Sequence, residues 1–154
     1  FMRNLNDWLL EYGESHQHPT NVGIHKVCVP LIMFSLLGLV WCIPQIELMQ
    51  KYHYINFCSL FIIPCLVFYL ILNIKVFVGM LITTVIMFAG IHLLDQVGTL
   101  LVISVSIFVL AWIVQIWGHK IEGKKPSFLK DLTFLLIGPI WVLNSLYKKI
   151  GVEI

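Results

Sequence analysis

Three of the six histidines in this 154-residue chain fall in one stretch, "ESHQHPTNVGIHK" from Glu14 to Lys26: His16, His18 and His25. A fourth, His119, lies in "WGHKIEGKKP", three residues before Glu122. A neutral imidazole is a strong ligand for first-row transition metals. A site built from distant segments needs three or four such side chains at metal–nitrogen distances near ~2.0–2.1 Å. If the second stretch is helical, His119 and Glu122 share a face. A His/carboxylate set left partly open suits non-haem Fe(II) and oxygen chemistry, and equally a catalytic zinc. There is no HExxH motif and no tight histidine box. Spacing therefore leaves a third reading standing: interfacial histidines that form hydrogen bonds and hold no metal.

Whether these residues can meet depends on the elements that carry them. The chain is 59% hydrophobic and only 12% charged, against about 25% charged in ordinary soluble domains. A globular domain of this size has no interior large enough for so much apolar surface, so a bilayer is the natural solvent. The composition predicts an all-α integral membrane protein forming a single domain over 1–154. The net charge of +2 says little by itself, and no nucleic-acid partner is expected. Four apolar runs, at about 24–43, 55–73, 74–94 and 98–117, are each close to the ~20 residues a span requires. Ahead of them, residues 4–13 read as an amphipathic helix with Leu5, Trp8, Leu9 and Tyr12 on one face. Its aromatics suit a membrane interface, with simple packing on the protein as the alternative. A fifth run, 132–147, is expected to be broken at Gly138-Pro139 and only partly embedded, re-entrant or interfacial, with a full fifth span as the alternative. No cleavable signal sequence is visible over 1–15. Cys28, Cys42, Cys58 and Cys65 form no CxxC pair and read as small core residues.

Sidedness is the most informative deduction. With four spans, the N-terminal segment, the second loop and the C-terminal segment share one side. They hold Arg3, Lys26, Lys75, Lys120, Lys124, Lys125, Lys130, Lys148 and Lys149, and the other side holds Lys51. The excess of basic residues places both termini in the cytoplasm, at an ER membrane in a eukaryote or the inner membrane in a bacterium. The same parity brings His16, His18, His25 and His119 to one depth. His53, beside Tyr52 and Tyr54, and His92, three residues before Asp95, fall on the other side. They read as an interfacial residue and a local hydrogen-bonded pair. Lys120, Lys124 and Lys125 can attract anionic headgroups or a substrate carboxylate. Asn21 can cap a helix or hydrogen-bond a ligand histidine. Polar groups within the spans are few, which argues against a transporter. A zinc-dependent membrane lipid hydrolase and a non-enzymatic scaffold remain as rivals to an oxygenase.

At these residues the chain resembles the 2-hydroxy fatty acid dioxygenase family. The first motif carrying the resemblance is "YGESHQHPTNVGIHKVCVP", with Tyr12, His16, Pro19, Asn21, His25 and Pro30. The second is "QIWGHKIEGKKPSFLKDL", with Gln115, Gly118, His119, Glu122, Pro126 and Asp131. The resemblance implies Fe(II)-dependent α-oxidation of a 2-hydroxy fatty acid by O2, giving a fatty acid one carbon shorter. It implies Fe2+ held by His16, His25 and His119, with His18 and Glu122 as further candidates for the metal shell. Asn21, Lys120, Lys124 and Lys125 are then candidates for the substrate's polar head. The acyl tail would lie among membrane helices and lipid.

Overall fold

A computed structural model describes residues 3–52 and 55–154. Seven α-helices occur in the described residues: α1 (Leu5–Glu14), α2 (Pro19–Trp41), α3 (Glu47–Gln50), α4 (Phe57–Leu72), α5 (Ile74–Gln96), α6 (Leu100–Glu122) and α7 (Phe134–Lys149). A 3-10 turn at Ser127–Leu129 joins α6 to α7.

Three helices, α2, α5 and α6, are each 23 residues long and apolar enough to cross a membrane. At 1.5 Å per residue each reaches about 35 Å, ample for a ~30 Å hydrocarbon core. The expected run at 55–73 forms a shorter apolar helix of 16 residues, α4. The outer faces of these helices carry exposed aliphatic side chains, such as Ile86, Val102 and Leu110. Such faces are consistent with a place in hydrocarbon.

Two helix boundaries differ from the sequence expectation in ways that matter. α2 begins at Pro19, five residues before the expected start. Proline is pre-organised for the first helical position, where its missing N–H is not needed. His18 caps this start, its Nδ1 accepting from the Thr20 amide at 3.2 Å. α6 runs on to Glu122 and stops at Gly123, whose φ of +73° is the left-handed conformation that closes a helix. His25 and His119 therefore both stand on rigid helix.

The helices alternate in direction. Along the α2–α6 pair, Gly38 faces Leu100 and Ser104 at one end, and Asn21 faces Gly118 at the other. The Cys58 thiol donates to the Leu37 carbonyl at 3.3 Å, setting the start of α4 beside the end of α2. Asn73 ends α4 and caps α5, its Oδ1 accepting from the Lys75 and Val76 amides, so the expected tight hairpin forms. Trp41 Nε1 donates to Asp95 at 3.0 Å, joining the far ends of α2 and α5. Asp95 is thus held by Trp41, not by His92 as expected, and His92 meets Gln96 at 3.1 Å instead. His53 and Tyr54 lie outside the described residues.

The N-terminal helix does not lay its apolar face on a membrane surface. Leu5, Trp8 and Tyr12 pack with Phe134, Ile137 and Ile140 of α7 and with Tyr69, Val76 and Met80 in one core. The Trp8 and Phe134 rings meet edge to face at 5.1 Å. α7 itself is continuous through Gly138-Pro139 rather than broken. The proline removes one hydrogen bond to the carbonyl four residues back, while packing on both sides holds the helix together. Gly138 lets α7 approach α1 closely, since a Cβ there would stand 3.0 Å from the Tyr12 hydroxyl. At its other end Tyr147 donates to the Lys75 carbonyl at 2.9 Å, so α7 reaches from α1 to the α4–α5 junction.

Candidate metal centre

His16 follows α1, His25 lies in the second turn of α2 and His119 in the last turn of α6. The antiparallel α2–α6 pair brings the last two together, and the turn between α1 and α2 delivers the first. Their ring centroids lie 4.2 Å (His16–His25), 4.7 Å (His25–His119) and 5.1 Å (His16–His119) apart. One nitrogen of each ring lies within 4.8 Å of the others. All three side chains are buried, His25 completely.

The second nitrogen of two of these rings is fixed by backbone. His16 Nδ1 donates to the Tyr12 carbonyl at 2.6 Å, and the ring stacks on Tyr12 at 4.1 Å. His25 Nδ1 donates to the Asn21 carbonyl at 3.0 Å. Such bonds select the tautomer with a free lone pair on Nε2, the usual support of a metal-binding imidazole. His16 Nε2, His25 Nε2 and His119 Nδ1 are buried and have no hydrogen-bond partner in the described residues. A buried polar atom without a partner costs about 1–3 kcal/mol. Three such atoms gathered at one point fit a metal ion, which satisfies all three at once. Burial pushes the His16 pKa down to about 4, against the opposing pull of its bond to Tyr12. The ring is therefore neutral, the form that ligates, throughout the physiological range.

The remaining candidates hold other posts. Glu122 and His119 do share a helical stretch, but the Glu122 carboxylate turns to the loop before α2. It accepts from the amides of Gln17 at 3.0 Å and His18 at 2.7 Å, and from Asn21 Nδ2 at 3.2 Å. Asn21 Nδ2 also donates to the Ser15 carbonyl at 3.1 Å. This clamp ties the end of α6 to the segment that presents His16. The metal-competent cluster in the described residues comprises His16, His25 and His119, without Glu122 or His18. His18 is exposed and occupied as a helix cap. Lys124 donates to the Glu14 carbonyl at 2.6 Å, and Lys120 and Lys125 are exposed at the same end. None of these lysines lines the cavity described next.

The three histidines close the polar end of a cavity of about 470 Å³. Its floor is α2 from His25 to Leu37, and α4 and α6 flank it with Phe61, Ile62 and Phe108 at the far end. The wall is overwhelmingly apolar. Ser127, passed over in the sequence, also lines it and hydrogen-bonds Ser15 at 2.7 Å beside His16. No local pattern announces that role, because it depends on the turn after Pro126.

A family model described as "2-hydroxy-palmitic acid dioxygenase Mpo1-like" matches residues 2–150. The chain is 25% identical over 151 residues to the 2-hydroxy-palmitic acid dioxygenase MPO1 of Saccharomyces cerevisiae, covering 96% of this chain and 82% of that protein. No solved structure matches.

Proposed function

The chain belongs to the Mpo1-like family of 2-hydroxy-palmitic acid dioxygenases, and from that premise we propose that it is an Fe(II)-dependent enzyme of 2-hydroxy fatty acid α-oxidation. The observation that carries the reading is the set of three buried, unpartnered imidazole nitrogens at the polar end of an apolar cavity. His16, His25 and His119 hold the ion. An Fe(II) ion held by these residues would supply the redox chemistry that activates O2, while the substrate's own oxidation provides all the electrons that reduce it. The overall reaction balances without an external reductant: R–CH(OH)–COOH and O2 give R–COOH, CO2 and H2O.

The chain's own residues do the rest. The apolar wall takes the acyl tail and excludes water, while the polar head stays at the histidine end. Lys120, Lys124 and Lys125 draw the anionic head to that end of the bilayer. Asn21 and Glu122 act through the loop that carries His16 and leave the ion to the three imidazoles. All four of α2, α4, α5 and α6 cross the membrane, α4 by local thinning or by the flanking loops. Both termini, the histidines and nine of the ten basic residues then lie on the cytoplasmic side. The ends of α7 meet α1 and the α4–α5 junction, both on that side, so α7 lies across the bundle and does not span it.

Three imidazoles with open positions suit a hydrolytic zinc equally well, so the test must separate the two. The protein is purified in detergent, and bound metal is measured beside His16→Ala, His25→Ala and His119→Ala. Near-stoichiometric iron lost in each variant, with turnover of 2-hydroxypalmitate that stops under nitrogen, is the expected result. Zinc with oxygen-independent turnover replaces the dioxygenase by a hydrolase. No metal after Fe(II) reconstitution, or full activity in the variants, refutes the centre.

A further inference from the structure

Two polar groups on the cavity wall are not used by the metal centre. Gln115 is 7% exposed, and its Oε1 has no hydrogen-bond partner among the described residues. Trp112 Nε1, a buried atom of a half-buried side chain, has none either. Both side chains line the cavity. Positions 112, 115 and 119 share one face of α6. Gln115 stands about 6 Å and Trp112 about 10 Å along the axis from His119, and the next residue of the stripe, Phe108, is apolar. At this depth α2 contributes Val29, Ile32 and Met33, none of which can pair with an amide or an indole. Water is scarce among membrane helices, so an amide and an indole N–H left open there are costly.

Their chemistry defines what completes them. The amide oxygen accepts a hydrogen bond and the indole N–H donates one. A hydroxyl does both. A carboxylate can only accept, and so answers the indole alone. A plain acyl chain answers neither. We propose that Gln115 and Trp112 recognise the 2-hydroxyl of the substrate, the hydroxyl donating to Gln115 Oε1 and accepting from Trp112 Nε1. The inference rests on the reading of the chain as a 2-hydroxy fatty acid enzyme. It assigns the choice between hydroxylated and plain fatty acids to a step on α6 one to two turns inside the histidines. Sites that hydrogen-bond a substrate hydroxyl reject analogues lacking it far more strongly than apolar pockets discriminate by size.

The test is binding without turnover. The full-length protein in detergent, carrying the metal it is purified with, is titrated under nitrogen with 2-hydroxypalmitate and with palmitate. The wild type should bind the hydroxy acid more tightly. In Gln115→Met and in Trp112→Phe the ratio of the two affinities should fall by roughly 10-fold or more, with palmitate affinity little changed. Gln115→Met keeps the side-chain volume, and unchanged metal content reports that the centre is still folded. Gln115→Glu keeps an acceptor at the same reach and should retain more of the preference than Gln115→Met. A wild type that prefers the hydroxy acid, with both variants keeping the full preference, overturns the assignment and leaves the proposed function standing. A wild type that binds palmitate as tightly as 2-hydroxypalmitate overturns both.

Discussion

Glu122 is the residue on which two accounts of the centre part most clearly. As a ligand it would touch the metal, and as a clamp it acts only through the loop. Its carboxylate accepts three hydrogen bonds, from the Gln17 and His18 amides and the Asn21 side chain. Hydrogen bonds to a charged group contribute about 1.5–3 kcal/mol each. Glu122 is only half-buried, so water partly replaces what is lost, and the sum for Glu122→Ala comes to roughly 2–4 kcal/mol. The loop released is the one that presents His16, while His25 and His119 remain on helices. Loss of such outer support typically lowers metal affinity about 10–100-fold without abolishing it. The assay is a competitive metal titration of Glu122→Ala and Glu122→Gln beside His16→Ala. Glu122→Gln keeps one acceptor oxygen and should fall between wild type and Glu122→Ala. If Glu122→Gln loses metal as completely as His16→Ala while its fold is intact, the carboxylate is a ligand and the clamp account is wrong.

Other consequences follow from the same geometry. In Gly118→Ala the added methyl would lie 2.5 Å from Asn21 Oδ1 and 3.2 Å from Ile24. Asn21 is tied on its other side, so α2 and α6 must part where they hold His25 and His119. A cost of about 1–3 kcal/mol and weaker metal binding should appear in thermal unfolding and metal titration, and a wild-type profile would mean that the helices give way freely. The cavity floor from His25 to Leu37 is about 18 Å long, room for an extended chain of roughly fifteen bonds. Leu36→Trp at the far end should therefore shift the preference from 16-carbon towards 12-carbon 2-hydroxy acids by about 10-fold, a size effect typical of apolar pockets. An unchanged chain-length profile would place the tail elsewhere. In the metal-free protein His16 stays neutral down to about pH 4, whereas an unfolded chain protonates it near 6.5. The unfolded state then binds more protons as pH falls from 6.5 towards 4, so stability is flat above that window and declines within it, by up to about 1.4 kcal/mol per pH unit. Thermal melts of metal-free protein from pH 7.5 to 4.5 check this, and a flat series would mean that His16 is open to water.

Much of the architecture was legible because membrane parity is a strong constraint. His25 and His119 are far apart in sequence, yet the alternation of apolar runs assigns them to one end, and the Gly38–Ser104 and Gly118–Asn21 contacts place them there. What escaped the sequence was local polar detail. The apolar run reads as starting near residue 24, because hydropathy does not register the polar "HPTN" stretch, although α2 is already helical from Pro19. His18 and Glu122 looked like candidate ligands by residue type, and only the amide of Thr20 for His18, and those of Gln17 and His18 for Glu122, reveal that each is engaged elsewhere. The apolar face of α1 was visible, but its partner was not. A stripe of Leu5, Trp8 and Tyr12 reads the same against lipid as against Phe134 and Ile140.

The withdrawal of Glu122 from the cluster has a chemical consequence. Three neutral imidazoles would leave the full positive charge of a divalent ion uncompensated in an apolar setting, where charge is costly. An anionic substrate supplies that compensation. A carboxylate protein ligand would compete with it and weaken the pull on the fatty acid head. On the proposed function, the same centre has two reasons to hold a 2-hydroxy acid: charge at the ion, and the surrounding apolar wall for its tail. Charge alone does not tell hydroxylated from plain acids, since both carry the same carboxylate. On the assignment proposed above, selectivity comes instead from the neutral polar groups of Gln115 and Trp112, deeper in the cavity. Weakening the ion's pull should lower affinity for both acids together, whereas altering those two residues should separate them.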